Sequence, residues 1–414
     1  MPVPIPALPV HAPMTQFAVC CGELMVGGEP LSRLAARVGQ TPFYAYDRAL
    51  IQARVAELRA LLPGTVRLHY AMKANPMPAL LSWMVGLVDG VDVASAGELK
   101  VALEAGASPS SISFAGPGKR EAELRQAVAA NVLISIESFR EVPLLQAMAR
   151  ELGSPARVLV RVNPDFELKH SGLKMGGGAR QFGVDVEQVP ALLADIGRAG
   201  LDFEGFHLYA GSQSLRAQAI AEALQKSYEL ALRLAAKAPG PIRVVNLGGG
   251  LGIPYFPGER HLELAPIGGT LAHLAQRAQT EFPGAALVLE LGRYLVGEAG
   301  VYVARVIDRK VSRGKVFLVT DGGLHHHLAA SGNFGQVLRK NYPVVIGNLM
   351  DATARETASV VGPSCSPLDV LADHMNLAVA QPGDLVVVFQ SGAYGASASP
   401  QNFLAHPACV EVLV

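Results

Sequence analysis

Short apolar runs rich in β-branched residues alternate with longer amphipathic segments between Asp47 and residue 300. Runs of the first kind predict buried parallel strands, and segments with apolar residues at helical spacing predict the helices between them. The eight predicted strands are residues 66–71, 91–94, 112–115, 132–136, 158–162, 203–208, 242–247 and 286–291. Eight βα units over about 250 residues predict an α/β fold of the (β/α)8 TIM-barrel kind, with a doubly wound open sheet as the competing arrangement.

Beyond residue 300 the pattern changes to Val-rich runs without long amphipathic helices, which predicts a mainly β C-terminal domain. Strands are predicted there at residues 301–307, 316–320, 357–361, 385–389 and 410–414, with residues 17–20 and 43–46 as candidates for additional strands. The predicted organisation is a flexible tail at 1–14, N-terminal strands that join the β-domain at 15–46, the barrel at 47–300 and the β-domain at 301–414.

Composition and charge narrow the classes of partner. The 35 basic and 35 acidic residues cancel, so no strong net field favours nucleic acid or an anionic membrane. The Pro-rich N-terminus lacks the features of a signal peptide, and no apolar run approaches the roughly 20 residues that span a bilayer. A cytoplasmic location is therefore expected. The four cysteines are too few and too irregularly spaced to predict a disulfide framework or a zinc site.

Polar residues and glycines cluster where the predicted barrel strands end. Enzymes of this fold build their active sites on the loops that follow the C-terminal ends of the strands. In strand order these residues are Lys73, Asp92, the 116–119 loop, Glu137, Asn163, His207 with Tyr209 and Ser212, the 248–250 glycine run, and Glu290 with Arg293. We therefore expect these residues to gather at one end of the barrel.

Two of these features have a chemical and a plain structural interpretation. Lys73 is either a solvated loop lysine or a desolvated amine able to form an imine with an aldehyde cofactor. The 248–250 glycines form either a tight connection or a backbone cradle for a phosphate. No helix follows them at once, which argues against a dinucleotide-binding fingerprint.

Glu290 and Arg293 place a carboxylate and a guanidinium three residues apart at the end of the eighth strand. A carboxylate that faces a pyridine nitrogen keeps it protonated, and a guanidinium suits a phosphate or a carboxylate. The alternative is a surface ion pair of little energetic value. The consecutive histidines 325–327 do not predict a metal site, because neighbouring side chains in a strand point to opposite faces. We expect mixed packing and surface roles for them, and whether one faces the site is open.

Eight short motifs together resemble the fold-type III pyridoxal 5'-phosphate (PLP) decarboxylases, the group of the diaminopimelate, ornithine and arginine decarboxylases. They are YAMKANP at 70–76, VDVASAGEL at 91–99, RVNPD at 161–165, GSQ at 211–213, GGGLGIPY at 248–255, ELGRYLV at 290–296, GPSC at 362–365 and GAYG at 392–395. The resemblance extends from about Phe43 to Val414. It implies an alanine-racemase-like barrel followed by a β-domain, and removal of the α-carboxylate of an amino acid.

The resemblance also implies a role for each matching residue. Lys73 holds PLP as a Schiff base, Glu290 pairs with the pyridine nitrogen, and Cys365 protonates the carbanion left by the loss of CO2. The further cofactor-binding residues implied are Asp92, Tyr209, Ser212, Gly249, Gly250, Arg293 and Tyr394. Family members are typically homodimers, and in them Cys365 would reach the active site of the partner protomer. Taken alone, a single cysteine is more often a buried small hydrophobe.

Some positions depart from the family pattern. Tyr209 stands where the family has a histidine that stacks on the cofactor ring, and Leu291 replaces the proline of the EPGR motif. Ser366 stands where diaminopimelate and ornithine enzymes carry an acid that recognises the distal amine of the substrate. The Ser-Pro-Leu-Asp segment at 366–369 resembles the carrier-protein-linked and exosortase-associated branch. The candidate substrate residues are Arg293, Ser366 and Asp369.

Several functions remain open from the sequence. The substrate is either a small-molecule amino acid or an aminoacyl group bound to a carrier protein, and a true diaminopimelate decarboxylase that makes lysine is an alternative. A racemase of the same fold usually has arginine at the pyridine nitrogen, so Glu290 argues against that activity. A non-catalytic PLP-binding protein is disfavoured by the β-domain and Cys365.

Overall fold

The structure is a computed structural model that describes residues 10–168 and 172–414. Most of the predicted flexible tail, residues 1–9, lies outside the described residues. The chain divides into two units, which we call the barrel unit and the β unit. The barrel unit contains residues 52–252 and 262–295, and the β unit contains the described residues up to 51 together with 253–261 and 296–414.

The N-terminal part of the β unit contains short strands and one helix: β1 (Val19–Cys20), β2 (Glu23–Val26), β3 (Glu29–Pro30), α1 (Leu31–Val38) and β4 (Phe43–Tyr46). Strands β1, β2 and β3 form a small antiparallel sheet of their own. Strand β4 instead belongs to the large sheet of the β unit. The two candidate N-terminal strands thus have different partners.

The barrel unit contains eleven strands in its described residues: β5 (Val66–Ala71), β6 (Gly90–Val93), β7 (Ile112–Phe114), β8 (Leu133–Ile136), β9 (Arg157–Asn163), β10 (Leu173–Lys174), β11 (Val184–Asp185), β12 (Asp202–Leu208), β13 (Gly211–Ser212), β14 (Val244–Gly249) and β15 (Ala286–Leu291). Eight of them pair in parallel in the order β5-β6-β7-β8-β9-β12-β14-β15, and β15 pairs with β5. The sheet is therefore closed, which confirms the barrel and excludes the doubly wound open sheet.

The helices that follow α1 are α2 (Arg48–Leu61), α3 (Pro78–Met84), α4 (Ala96–Glu104), α5 (Glu121–Ala129), α6 (Glu141–Leu152), α7 (Val189–Ala199), α8 (Ala217–Ala235), α9 (Ala265–Glu281) and α10 (Arg293–Val296). Short 3-10 helices occupy Met72–Ala74, Pro109–Ser111, Gly297–Ala299, Ala396–Ala398 and Phe403–Ala405. Asp47 caps α2 because its Oδ1 accepts hydrogen bonds from the backbone N–H groups of Ala49 and Leu50. In the part of the chain that the structure describes, no helix has both the length and the apolar composition to cross a membrane.

The remaining strands belong to the β unit: β16 (Gly300–Ser312), β17 (Lys315–Thr320), β18 (Val344–Ile346), β19 (Arg355–Val361), β20 (Val370–Ala378), β21 (Leu385–Val388) and β22 (Val410–Leu413). They form a sheet in the order β18-β21-β16-β17-β19-β20, and β4 pairs with both β16 and β22. This mainly β arrangement confirms the predicted second part of the fold. The sequence analysis singled out neither β18 nor β20.

Candidate active site

A cavity of about 300 Å³ lies in the barrel unit among the residues at the C-terminal ends of its strands. The polar residues that line it are Lys73, Asp92, Arg161, His207 and Glu290, joined by the backbone of Gly116. They come from six different parts of the barrel, as the fold predicts for an active site. The sequence-predicted residues Lys73, Asp92 and Glu290 are thus brought together in one place.

Lys73 lies on the 3-10 helix Met72–Ala74, directly after β5. This turn is fixed because the Tyr70 hydroxyl donates a 2.8 Å hydrogen bond to the carbonyl of Asn75. Lys73 is exposed, although the residues on either side of it are buried. The lysine lies beyond the end of the strand and lines the cavity, and its role as a cofactor lysine stays a prediction. Its Nζ lies 5.6 Å from the ring centroid of Tyr209.

Glu290 is a buried carboxylate at the end of β15. Its Oε2 lies 3.2 Å from Nε2 of His207 and 3.4 Å from Nδ2 of Asn246. Burial alone would raise the pKa of Glu290, but the contact with His207 and the charges of His207, Lys73 and Arg161 lower it to about 2. Glu290 is thus ionised in the barrel interior, and the alternative of a surface ion pair does not apply to it.

A second buried carboxylate, Asp92, lies near the end of β6 and contacts His69 on β5. His69 Nδ1 lies 3.1 Å from Asp92 Oδ1. Burial and then the negative charge of Glu290 raise the pKa of Asp92, and His69 partly opposes this effect. The other oxygen, Oδ2, is buried and has no hydrogen-bond partner among the described residues. Asp92 therefore has an acceptor that a bound group could use.

His69 was missed in the sequence analysis. Its ring needs a glycine on the neighbouring strand, since a Cβ added at Gly90 would lie 2.5 Å from His69 Nε2. The signal that could have found it is parity, because His69 and Ala71 occupy alternate positions on β5 and so point to the same side of the sheet. A polar residue on the inward face of a barrel strand is unusual enough to single out.

Arg161 and Glu137 form a buried ion pair beside the cavity. Arg161 donates to Glu137 Oε1 at 2.9 Å, and the same oxygen accepts a 2.6 Å hydrogen bond from the backbone N–H of Gly116. Burial would raise the pKa of Glu137, but the charges of Arg161 and Lys119 lower it. The sequence analysis quoted Arg161 only as part of a motif and gave it no role. The ion pair thereby fixes the backbone of Gly116, which lines the cavity.

Lys119 also stabilises the loop that contains Gly116. Its Nζ donates to the carbonyls of Gly116 at 2.6 Å and Ser135 at 2.8 Å, and it lies 3.1 Å from Oε1 of Glu141. The side chains of Lys119 and Glu141 are 1% and 2% exposed, so this ion pair is fully buried. Glu141 was not singled out from the sequence.

The glycine run after Asn246 passes very close to neighbouring backbone. A Cβ added at Gly249 would lie 2.2 Å from the carbonyl oxygen of Glu290, and one at Gly250 would lie 2.6 Å from that of Gly211. Gly250 also has a φ of +90°, which disfavours any residue with a side chain. Only glycines fit here, and they leave backbone groups accessible where side chains would otherwise cover them.

The other predicted cofactor residues of the barrel unit lie after the ends of neighbouring strands. Tyr209 follows β12 directly, Ser212 lies on β13, and Arg293 is the first residue of α10 after β15. All three are half-buried. The structure thus places them at the same end of the barrel as Glu290.

The remaining predicted residues lie in the β unit, on the loop between β19 and β20 and after β21. Cys365 is exposed, and the Oγ of its half-buried neighbour Ser366 accepts a 3.2 Å hydrogen bond from the backbone N–H of Leu368. Tyr394 is half-buried and has a φ of 54°. The thiol of Cys365 is therefore accessible in this chain, unlike a cysteine that serves only as a packed hydrophobe.

Asp369 closes the Cys365 loop. It is 2% exposed, its Oδ1 accepts a 2.6 Å hydrogen bond from the backbone N–H of Leu324, and its Oδ2 accepts a 2.9 Å hydrogen bond from that of Ser364. Both carboxylate oxygens are therefore engaged by the protein's own backbone.

The three histidines at 325–327 are all buried, so the expectation of a surface role is wrong for them. His325 and His326 lie in a turn and His327 directly follows it, so none is in a strand and the rule of alternating faces does not apply. His326 Nε2 lies 2.9 Å from the carbonyl oxygen of Pro407, and His327 Nε2 lies 2.9 Å from Oγ of Ser391. Burial lowers the pKa of His327 to about 3. His327 is thus a neutral packing residue.

Comparison with known proteins identifies the family. The family described as "Pyridoxal-dependent decarboxylase, pyridoxal binding domain" matches residues 48–297. The chain is 38% identical over 380 residues to the L-glutamyl-[BtrI acyl-carrier protein] decarboxylase of Niallia circulans, covering 90% of this chain and 89% of that protein. It is 32% identical over 396 residues to the diaminopimelate decarboxylase of Aquifex aeolicus, covering 95% and 91%.

Solved structures give the same result. The diaminopimelate decarboxylase of M. jannaschii, in complex with L-lysine, superposes with a TM-score of 0.85 at 26% identity, covering 96% of this chain and 92% of that chain. The Helicobacter pylori diaminopimelate decarboxylase with L-lysine gives 0.82 at 27% identity, covering 92% and 94%. The chain therefore belongs to the pyridoxal-dependent decarboxylases of fold-type III, and pyridoxal 5'-phosphate is its cofactor.

Proposed function

We propose that this decarboxylase acts on an amino acid whose distal end is uncharged, namely an aminoacyl group joined through its side-chain carboxyl to a carrier protein. The observation that carries the proposal is the absence of a free acid in the 365–369 loop. Ser366 is neutral, and the carboxylate of Asp369 is occupied by the backbone N–H groups of Leu324 and Ser364. We propose that Asp369 serves the substrate site by holding this loop in shape.

The energetics favour a neutral distal group. A buried ammonium left without a partner weakens binding by about 2–5 kcal/mol, whereas a thioester has no charge to compensate. Removal of the α-carboxylate requires that the α-amino and α-carboxyl groups are free. An acidic amino acid can therefore be tethered to a carrier only through its side-chain carboxyl. Such a substrate matches the activity of the Niallia circulans relative, an L-glutamyl-[BtrI acyl-carrier protein] decarboxylase.

The residues of the barrel unit fit the cofactor. The cavity contains an amine at Lys73 and an ionised, buried carboxylate at Glu290, and the glycine run leaves no room for a Cβ at Gly249. When bound, PLP supplies a sink for the electron pair released with CO2. We propose that Lys73 carries the cofactor and that Glu290 holds the proton of its ring nitrogen. The half-buried ring of Tyr209 offers an aromatic face for stacking in place of the usual histidine.

The proposal assigns the remaining predicted residues as follows. The residues around the phosphate are Ser212, Gly249, Gly250, Arg293 and Tyr394, and Arg293 also faces the substrate carboxylate. Asp92 completes the cofactor pocket with its buried, unpartnered oxygen.

We propose a homodimer in which the exposed Cys365 thiol of one protomer delivers the proton to the α-carbon in the partner's site. The cytoplasmic location expected from the sequence stays a prediction, which cell fractionation tests.

A substrate panel tests this function. The purified holoenzyme is assayed for CO2 release from free diaminopimelate, lysine, ornithine, arginine and glutamate, and from a side-chain-linked glutamyl thioester of a carrier protein. We expect turnover of the thioester and at least about 100-fold lower kcat/KM for the free diamino acids, as a missing partner for one charge predicts. Robust activity on diaminopimelate would contradict the proposal and support the alternative of a lysine-forming enzyme.

Two variants at one position sharpen the test. Ser366→Glu places an acid in the loop and should raise activity toward diamino acids relative to the thioester, whereas Ser366→Ala should leave the preference unchanged. Chiral analysis of residual substrate in the same reactions tests the racemase alternative. Loss of optical activity without CO2 release would favour a racemase, and neither reaction with PLP bound would favour a non-catalytic protein.

A further inference from the structure

His207 occupies a position that no predicted role explains. It lies on β12, is 2% exposed and lines the cofactor cavity. Its Nε2 lies 3.2 Å from Oε2 of Glu290, and its Nδ1 lies 3.1 Å from Oγ of Ser135 on β8. The imidazole therefore connects a wholly buried serine with the carboxylate at the centre of the site.

The contacts on Glu290 are one-sided. Both His207 Nε2 and Asn246 Nδ2 approach the same oxygen, Oε2. His207 Nε2 and Glu290 Oε2 lie within ion-pair distance, and this contact lowers the pKa of Glu290. Neither of these two contacts involves the second oxygen, Oε1, which would therefore face the ring nitrogen of the cofactor. The contact with Ser135 fixes the orientation of the imidazole, as hydrogen bonds from neighbouring residues do for the histidine ligands of metal sites.

We propose that His207, held by Ser135, is a positioning residue that orients Glu290 toward the cofactor ring nitrogen. This inference rests on the role proposed above for Glu290. The alternative is simple core packing of the His207 side chain. The positioning role requires the polar contacts of the imidazole, whereas core packing requires only a side chain of similar volume.

The charges around Glu290 explain why one histidine has this effect. Lys73 and Arg161 favour the ionised carboxylate from other sides of the site, while the neighbouring Asp92 carries charge of the same sign. Burial opposes ionisation, and the contact with His207 is the largest opposing effect that the chain supplies. Without His207, a carboxylate in this setting becomes easier to protonate and no longer holds a proton on the ring nitrogen.

Three variants separate polarity from volume. His207→Leu fills a similar space without hydrogen-bonding atoms, and His207→Gln keeps a donor and an acceptor on a side chain of similar size. Ser135→Ala removes the outer partner. Ser113→Ala is the matched control, because Ser113 is also buried on a barrel strand, while its hydroxyl has no hydrogen-bond partner among the described residues.

Each holoenzyme is examined by nitrogen NMR of isotope-labelled PLP, by titration of PLP into the apoprotein, and by steady-state kinetics with the substrate found active. We expect His207→Leu to shift the ring nitrogen signal toward the deprotonated form and to lower kcat by about 10- to 100-fold, with KM changed less than about threefold. His207→Gln should restore most of the ring signal and rate. Ser135→Ala should lie between the two, and Ser113→Ala should match the parent protein.

The outcomes distinguish this inference from the proposal beneath it. If His207→Leu leaves the ring nitrogen protonated and kcat unchanged, or if His207→Gln is as impaired as His207→Leu, the positioning role is refuted and packing remains. Glu290→Gln serves as the reference variant. If it too leaves the ring signal unchanged, the proposed role of Glu290 itself fails, whereas an effect of Glu290→Gln without one of His207→Leu refutes only the inference.

Discussion

The buried ion pair between Lys119 and Glu141 gives a sharp test of how the cavity wall is stabilised. Replacing Lys119 by Met keeps the length and apolar stem of the side chain and removes its charge. The change deletes the 3.1 Å contact with Glu141 and the hydrogen bonds to the carbonyls of Gly116 and Ser135. It leaves a carboxylate that is 2% exposed without its cation.

The magnitude follows from that burial. Removing one partner of a buried pair costs about 3–5 kcal/mol of unfolding free energy, because the remaining charge is uncompensated. For a unit of this size each kcal/mol lowers Tm by about 2–4 °C, so we expect a drop of roughly 10 °C. The double variant Lys119→Met/Glu141→Gln carries no stranded charge and should recover about 2 kcal/mol of the loss.

The pair formed by Arg125 and Glu151 is the matched control. It joins α5 to α6 with two 2.7 Å contacts, yet its side chains are 45% and 60% exposed. Arg125→Met should therefore cost less than about 1 kcal/mol despite the better geometry. Urea unfolding followed by far-UV circular dichroism measures all three variants.

The pH dependence provides a second check on the same variant. Burial raises the pKa of Glu141, and Lys119 opposes that effect. Without Lys119 the protonated form is favoured further in the folded state, so the variant's deficit should shrink at acidic pH and grow as the pH rises through that pKa. A loss in Lys119→Met no larger than in Arg125→Met, or a double variant no more stable than the single one, would refute this reasoning.

Three further predictions concern the reaction itself. Lys73→Ala should abolish the absorption band of lysine-bound PLP, and an unchanged spectrum would contradict its assignment as the cofactor lysine. Cys365→Ala should lower kcat or divert protonation of the product while PLP stays bound, and unaltered kinetics would return that cysteine to a structural role. Gly249→Ala should weaken PLP binding by at least about tenfold in an apoprotein titration, because its Cβ would lie 2.2 Å from the carbonyl oxygen of Glu290; an unchanged dissociation constant would argue against the glycine cradle.

The barrel was predictable because its strands are buried on both faces, so each appears in the sequence as a short apolar run. Strands β5 and β15 begin and end at the predicted residues, and the other six differ from prediction by one or two residues at one or both ends. Strand β18 has only three residues, and β20 carries exposed polar residues such as His374 between its apolar ones. Neither pattern stands out in a sequence, because pairing with neighbouring strands, rather than local periodicity, defines such strands.

The site was predictable where a residue ends a strand and belongs to a motif, as Lys73 and Glu290 do. The buried polar residues His69 and Glu141 were not found from the sequence. Alternation along β5 could have singled out His69, whereas nothing local marks Glu141 as buried. The burial of the histidines at 325–327 was likewise predicted incorrectly, since the rule for strands was applied to a turn.

The sequence alone predicted the class of fold, the cofactor and the reaction type, because strand spacing and motif order can be identified without knowing which residues meet in space. Only the tertiary structure decided which charges meet. Glu290 and His207 are 83 residues apart in sequence, yet Glu290 Oε2 lies 3.2 Å from His207 Nε2. Both carboxylate oxygens of Asp369 accept hydrogen bonds from backbone N–H groups of distant or neighbouring residues. Such contacts depend on closure of the barrel and on loop conformation. Burial then strengthens the electrostatic interaction between the charges, because the interior has a lower effective dielectric constant than water.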